Sequence, residues 1–170
     1  MLEVSVEAPL RAVLGTFATG VTVVTVGGPH PHGMTANSFT SVSLDPPLVL
    51  VCVNRDSVMQ HRLEEADCFA VSVLDAAQRD VARRFADRSR PPGAAQFDGV
   101  ACIAGTRTGA PLIGGALAWL ECRRWRTYDG GDHLIHVGRV LSVRRAPHGD
   151  ALMFFEGHYL TGGNHDPDRP

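Results

Sequence analysis

The chain has 170 residues, of which 44% are hydrophobic and 20% are charged, the balance of an ordinary folded globular protein. Its formal net charge of -2 at pH 7 argues against a nucleic-acid-binding protein, because such proteins carry a basic balance or a concentrated basic patch. All 16 basic residues are arginine. A Walker-A phosphate loop and a Schiff-base mechanism are therefore excluded, since both require a lysine.

One stretch of the chain is rich in arginine, with Asp80 and Asp87 interleaved among the basic residues. The arginines of this stretch are Arg83, Arg84, Arg88 and Arg90. Because charges of both signs alternate, we interpret the stretch as a solvated helix face followed by a loop. We expect no nucleic-acid partner.

Four cysteines occur, and none forms a Cys-x-x-Cys pair. Cys52, Cys68 and Cys122 lie in apolar runs, which indicates reduced thiols that pack as small hydrophobic residues. We identify no signal peptide and no apolar stretch long enough to span a bilayer. We therefore expect a cytoplasmic protein without a membrane partner.

Helices are predicted at three places. Apolar residues at helical spacing indicate a first helix over Pro9–Ala18, which Gly20 can end. Ser57 can cap a second helix that runs to about Glu65, and a third is predicted over Ala76–Phe85. The segment Arg88–Gln96 contains two prolines and a glycine, so we expect a loop there.

Strands are predicted more often than helices, from runs rich in Val and Thr and from short, continuous apolar segments. The predicted strands are Val21–Val26, His32–Thr40, Leu48–Val53, Cys68–Leu74, Ala116–Tyr128, Leu134–Arg144 and Met153–Leu160. A hairpin turn is expected at Asp129-Gly130-Gly131. Because strands and helices do not alternate strictly, the pattern favours a mainly β fold, an antiparallel Greek-key-like barrel with a few peripheral helices.

The organisation of the chain indicates a single domain over residues 1–170 with its core at about 10–160. We expect short mobile ends, since the tail from Thr161 is polar.

Several kinds of site lack their signatures in this sequence. No Gly-x-Gly-x-x-Gly motif follows a strand, and no Gly-x-Ser-x-Gly elbow is present. The pairs His30/His32 and His133/His136 have no nearby Cys or carboxylate at a ligand spacing, so we expect no metal site.

The most unusual segment is Gly33–Ser43, in which small hydroxyl residues are dense and Asp45-Pro46-Pro47 follows at once. Gly33, Thr35 and Ala36 carry little bulk, so a flat ring could approach the backbone closely. Ser38, Ser41 and Ser43 could then contact a ribityl chain or a phosphate. Taken alone, the segment is better explained as an edge strand rich in Ser and Thr.

A second unusual segment begins at Gly131-Asp132-His133, at the mouth of a strand. A histidine there can orient a ligand amide or move a proton. Ordinary turn chemistry with an exposed histidine explains the same residues.

The chain resembles the short-chain flavin reductases, the reductase components of two-component flavin-dependent monooxygenases. Four blocks carry the resemblance, in the family order and over about Leu10–Tyr159. They are Phe17–Thr25, Gly33–Pro47, Gly131-Asp132-His133 with Gly138, and Gly157-His158-Tyr159. The resemblance implies a split β-barrel that forms a homodimer, with flavin sites at or near the subunit interface.

The resemblance also implies roles for particular residues. The segment Met34, Thr35, Ala36, Asn37 and Ser38, with Gly33 before it, would follow the flavin ring and ribityl chain. The ribityl-phosphate part would meet Ser41, Val42 and Ser43, and its phosphate end would meet Cys52, Val53, Asn54 and Ser57. Arg84 and Phe85 would close over the flavin, His133 would lie by the nicotinamide, and Tyr159 would flank the same pocket.

The expected reaction is hydride transfer from NADH, with NADPH possible, to free FAD or FMN. The reduced flavin would then reach a partner monooxygenase by diffusion. One alternative is an electron carrier or sensor of the same fold that holds its flavin tightly and does not reduce free flavin. A barrel that binds no ligand is disfavoured, because it would need neither unusual segment.

Overall fold

The computed structural model of the chain describes residues 7–162, and within them strands dominate and helices are few. Every strand pairing is antiparallel, which confirms the mainly β, antiparallel class. The expectation of mobile chain ends falls largely outside the described residues.

The elements follow one another with short connections. The helices are α1 (Glu7–Gly15), α2 (Val58–Glu65) and α3 (Arg79–Ala86), with 3-10 turns at Ala76–Gln78 and Gly93–Phe97. The strands are β1 (Thr19–Gly20), β2 (Thr22–Val26), β3 (His32–Ala36), β4 (Thr40–Leu44), β5 (Pro47–Asn54), β6 (Cys68–Val73), β7 (Cys102–Ala104), β8 (Pro111–Ile113), β9 (Ala118–Gly130), β10 (His133–Arg145), β11 (Ala151–Phe155) and β12 (His158–Gly162).

A seven-stranded sheet in the order β3-β2-β6-β9-β10-β5-β4 forms the body of the fold. A flat sheet of this size would hold its edge strands about 29 Å apart, at ~4.8 Å per strand spacing. The connection from Ala36 to Thr40 can span only about 14 Å. The sheet must therefore curl, so that its two edges approach each other at this connection. No backbone ladder joins β3 to β4 among the described residues, so the sheet stays open there.

The core lies on both faces of the curled sheet, which explains why β2 is buried along its whole length. One hydrophobic cluster joins β2, β5 and β6 to Met59 and Leu63 of α2. A second cluster on the other face joins β2 to Ala82 and Phe85 of α3 and to Leu152 of β11. Two smaller sheets, β1-β11-β12 and β7-β8, lie beside the large one.

Two predicted strands are wrong in their extent, each because of a local turn. The predicted strand His32–Thr40 is two strands, β3 and β4, since the chain turns at residues 37–39 to reach the opposite edge of the sheet. The predicted strand Met153–Leu160 is the hairpin β11-β12. Its central residues Glu156 and Gly157 both have positive φ, as a type I′ turn requires.

Smaller differences concern the other elements. The β9-β10 turn is Gly131-Asp132, one residue later than predicted, and Gly131 has the positive φ that the first position of a type II′ turn needs. The first helix begins and ends earlier than predicted, at Glu7–Gly15. The short strands β7 and β8 were not predicted, because three residues carry too little periodic signal. None of the described helices has the length and apolar character needed to cross a membrane.

Candidate functional site

A cleft of about 750 Å³ opens between the free edge of β3, the end of β5, the start of α2 and the loop after α3. Many residues expected at the site line it together: Met34, Thr35, Ala36, Asn37, Ser38, Cys52, Asn54, Ser57, Phe85 and His133. The volume lies in the range usual for small-molecule sites. The turn at residues 37–39 and the curl of the sheet bring these distant parts of the sequence together.

The edge strand β3 offers backbone hydrogen-bonding groups to the cleft. Gly33 uses its outward N–H and C=O to contact Gln96 Oε1 and the Arg90 guanidinium. Alternate residues of an antiparallel strand point these groups to the same side. The N–H and C=O of Thr35 therefore also point outward from the sheet, where they can meet the polar edge of a ligand. The hydroxyl of Thr35 itself donates to the Ala82 carbonyl at 2.6 Å.

Ser38, in the turn between β3 and β4, bonds to the backbone of β5 beyond the end of the β4-β5 ladder. Its hydroxyl accepts the Cys52 N–H at 3.0 Å and donates to the Cys52 carbonyl at 3.0 Å. One side chain thus replaces a pair of ladder hydrogen bonds. Burial raises the pKa of the neighbouring Cys52 thiol, so Cys52 stays a neutral, unreactive residue of this lining.

The N-terminus of α2 faces the cleft. Ser57 caps this helix by accepting the Gln60 N–H at 3.1 Å, and its hydroxyl donates to the Asn54 carbonyl at 2.7 Å. The next N–H groups, of Val58 and Met59, have no partner within the helix because they belong to its first turn. With Arg62 on the same lining, this end of the cleft can hold an anionic group.

His133 also lines the cleft, next to the end of β5. As the first residue of β10 it pairs with Asn54, the last residue of β5. Its Nδ1 is 2.7 Å from Asp132 Oδ1, and its side chain is 42% exposed. The hydrogen bond with His133, followed by the electrostatic interaction with the same ring, lowers the pKa of the Asp132 carboxyl. Asp132 thus orients the ring of His133 through Nδ1 and leaves Nε2 without this partner.

A model of the flavin reductase like domain family matches residues 14–163 of the chain. The chain belongs to this family. It is 58% identical over 150 residues to the NADH-dependent FAD reductase of Streptomyces globisporus, an alignment covering 88% of this chain and 82% of that protein.

Solved structures of the family are similar over nearly the whole chain. BorF, the flavin reductase component of a bacterial two-component tryptophan halogenase, is 54% identical with a TM-score of 0.90 and covers 94% of this chain and 99% of its own. The NADH:FAD oxidoreductase SgcE6 of Streptomyces globisporus C-1027, in complex with NAD and FAD fragments, is 50% identical with a TM-score of 0.88 and full coverage of both chains.

Other residues expected at a family site lie outside this cleft. Ser41, Val42 and Ser43 lie on β4, the edge strand at the other end of the sheet order from β3. A bulge shifts the pairing of β4 with β5 at these residues. Val53 points into the core. Arg84 donates through Nε to the Gln96 carbonyl at 2.8 Å, and Tyr159 packs edge-on against Phe154.

The lack of a side chain at two motif glycines has a packing reason. A Cβ on Gly33 would lie 2.7 Å from the Phe85 ring, so the absence of a side chain here admits Phe85. A Cβ on Gly138 would lie 2.5 Å from Phe69. Both glycines of the family blocks thus shape the sheet on which the site is built.

Several residues of the site were not found from the sequence, among them His32 and Arg90, together with Gln96, which holds the loop beside the cleft. His32 and Arg90 line the cleft, and His32 Nε2 is 3.1 Å from an Arg90 Nη atom. Burial, followed by the charge of Arg90, lowers the pKa of His32 to about 4, so the ring is neutral and can accept from the guanidinium. The arginine-rich stretch that contains Arg90 could have pointed to the site, but its alternating charges indicated a solvated surface.

Proposed function

We propose that this protein is an NADH-dependent flavin reductase that reduces free FAD or FMN and supplies the reduced flavin to a partner flavin-dependent monooxygenase. The observation that carries the proposal is a single cleft with a free strand edge, a helix N-terminus and an exposed histidine around it. These groups bind and orient flat, phosphate-bearing ligands. The reductases of Streptomyces globisporus and the BorF component support the same reaction.

The residues present fit a flavin at this site. The outward N–H and C=O of Thr35 suit the polar edge of the ring, and Ser38 and Asn37 lie along the adjoining stretch. The first turn of α2, with Arg62, suits the phosphate. Arg62 and two further arginines of the lining, Arg88 and Arg90, outnumber the single acidic residue there, Asp56, which favours anionic substrates.

A bound flavin would accept a hydride that NADH donates, and the chemistry belongs to these two molecules. The chain holds the two rings against each other and directs backbone donors at the flavin edge where negative charge develops. His133, oriented by Asp132, would hold the nicotinamide amide at the mouth of the cleft. No side chain is required as an acid, a base or a nucleophile.

FAD is the flavin that we propose as the better substrate. The 58% identical relative is an NADH-dependent FAD reductase, and the structural neighbour SgcE6 carries NAD and FAD fragments. The arginines around the loop end of the cleft offer contacts to a second phosphate, which FMN lacks.

A homodimer is also part of the proposal, supported by apolar surface that a single chain leaves open. Leu10, Val13, Leu14 and Phe17 of α1 and its end are 49–75% exposed, although they form the apolar face predicted for this helix. Leu44 at the free edge of the sheet is 95% exposed. Surfaces of this kind are usually covered by a partner, and Ser41 and Ser43 lie beside Leu44 on the same strand.

The curl of the large sheet supports a split barrel, in which Ser38 holds the turn between β3 and β4 to β5. The single-domain organisation and the cytoplasmic location stay predictions from the sequence.

The test is steady-state NADH oxidation by the purified protein without flavin, with FMN and with FAD. We expect oxidation that depends on added flavin and that has the lower KM for FAD. Oxidation by a protein that stays yellow and needs no added flavin would instead indicate the electron carrier. No oxidation with either flavin would overturn the proposed reaction.

The role of His133 has its own test. We expect His133→Ala to raise the KM for NADH by about tenfold, because one well-placed contact to the nicotinamide is lost. The KM for FAD should change less. His158→Ala removes another exposed histidine, outside the cleft, and serves as the control. An unchanged KM for NADH in His133→Ala would remove the role.

A further inference from the structure

The loop between α3 and the following 3-10 turn forms one side of the cleft, although most of its residues face solvent. Arg88, Pro91 and Pro92 line the cleft while being exposed. A loop this exposed has little apolar contact to hold it in one position. Arg90 differs from its neighbours because its side chain turns inward and is largely covered.

The guanidinium of Arg90 contacts five other residues. It donates to the carbonyl of Gly33 on β3 and to the carbonyl of Asp87 at the end of α3. Its Nε donates to Gln96 Oε1 at 3.3 Å, and an Nη atom meets His32 Nε2 at 3.1 Å. Its central carbon lies 5.8 Å from the centre of the Phe85 ring. A planar fork with several donors suits this arrangement, which a lysine could only partly reproduce.

Gln96 completes the attachment from the other end of the loop. Its side chain is fully buried, accepts the Gly33 N–H at 2.9 Å, and donates to the carbonyls of Pro31 and Gly93 at 3.0 and 2.8 Å. Arg90 and Gln96 therefore meet the two outward backbone groups of the same residue, Gly33. Together with the contacts to Pro31 and His32, these bonds fix the loop to the start of the edge strand.

We propose that Arg90 is a positioning residue, which holds residues 88–93 against β3 so that the cleft is formed before a flavin binds. The proposal rests on the proposed function for the identity of the ligand. When only a fraction of the molecules has the binding arrangement, the apparent dissociation constant rises by the inverse of that fraction. Without Arg90 the loop samples open positions, and the flavin has to order it on binding.

The experiment compares wild type, Arg90→Ala and Arg90→Lys. We expect Arg90→Ala to raise the dissociation constant and the KM for FAD by about tenfold, as when one molecule in ten has the loop in place, with kcat at saturating FAD little changed. Arg90→Lys, which keeps one cationic donor, should lie between the two. A role in general stability alone would lower the yield and the melting temperature of Arg90→Ala but leave the KM for FAD unchanged.

Limited proteolysis reports the loop directly and needs no activity. Trypsin cuts after Arg88, whereas the Arg90–Pro91 bond resists it, so the substitution of Arg90 removes no useful site. We expect faster cleavage after Arg88 in Arg90→Ala than in wild type, and protection by added FAD in both. Arg83→Ala is the matched control, since Arg83 is an exposed arginine of the same segment whose one ion pair, with Asp80, is long at 3.5 Å.

The outcomes separate the two proposals. Equal FAD affinity and equal cleavage after Arg88 in Arg90→Ala and wild type would overturn the role of Arg90, whatever the activity. FAD binding that depends on Arg90, in a wild-type protein that does not oxidise NADH, would support the role of Arg90 and overturn the proposed reaction. Should Arg90→Ala not fold, the same comparisons with Arg90→Lys decide the matter, and wild-type values for Arg90→Lys would overturn the role.

Discussion

The cleft has two walls that are held in place by different interactions. The sheet wall consists of residues 34–38, the end of β5 and the start of α2, whereas the loop wall consists of residues 88–93. Ladder hydrogen bonds and a buried apolar cluster hold the sheet wall. The side chains of Arg90 and Gln96 hold the loop wall. One wall therefore depends on the core and the other on a few polar anchors.

This difference predicts different responses to substitution. Damage to the anchors of the sheet wall should lower the stability of the whole fold, since these residues belong to the cooperative core. Damage to the loop wall should open it locally, and water can then satisfy the groups that are set free. Flavin affinity should follow the loop wall more closely than global stability does.

The largest effect should come from the core beneath the sheet wall. Leu63 of α2 is fully buried against β5 and β6. We expect Leu63→Ala to lower the free energy of unfolding by about 3–4 kcal/mol, from lost apolar burial and the cavity left behind. Urea unfolding measures it. FAD affinity in the folded fraction should stay near that of wild type, and a parallel loss of affinity would contradict the distinction between the walls.

Acid should weaken the loop wall through His32, whose pKa is lowered to about 4 by burial and then by Arg90 and Arg62. Above pH 6.5 the ring is neutral in both the folded and the unfolded state, so it adds no pH dependence. As the pH falls from 6.5 towards about 4, His32 binds a proton in the unfolded chain but not in the folded chain, so the stability of the fold decreases. The full loss is up to about 3 kcal/mol and grows no further below pH 4.

His32→Gln tests this dependence, because glutamine can accept from Arg90 and does not titrate. Unfolding by urea should show a shallower loss of stability between pH 6.5 and 4 in the variant than in wild type. Part of the slope should persist, since burial also lowers the pKa of His136, which contacts Gln60 behind the sheet wall. Identical slopes in the two proteins would exclude His32 as a source.

A smaller global effect is expected from Gln96, although its side chain is buried as completely as Leu63. Gln96→Ala sets free the Gly33 N–H and two carbonyls, but the loop can open to water, so we expect a loss of about 2 kcal/mol. The KM for FAD should rise together with that loss. Ser89→Ala, in the same loop and exposed, is the control. A Gln96→Ala protein that unfolds more easily but binds FAD normally would show that the loop wall does not contribute to flavin binding.

The two walls also differ in how far they could be predicted from sequence. The residues of the sheet wall were predicted because Gly33–Ser43 is unusual in its small and hydroxyl side chains, because it resembles the flavin reductases, and because Ser57 is a recognisable helix cap. The loop wall was not predicted, because its prolines and glycine give no periodic pattern. The residues that fix it, Arg90 and Gln96, also lie far from Gly33 in sequence. The same limit hid the turn at residues 37–39, whose effect depends on the curl of the whole sheet. Contacts between distant segments decide both features, and local patterns do not report them.

The smallest effect should come from the helix cap of the sheet wall, and it tests the anion site most directly. Ser57→Ala removes the bond to the Gln60 N–H and should cost about 1 kcal/mol. Ser57→Asp keeps a capping oxygen and the stability, but adds a negative charge where we place the phosphate. FMN and FAD should then bind several-fold more weakly, while riboflavin, which has no phosphate, binds as it does to wild type. Equal weakening of all three flavins would mean that Ser57 shapes the cleft without meeting a phosphate.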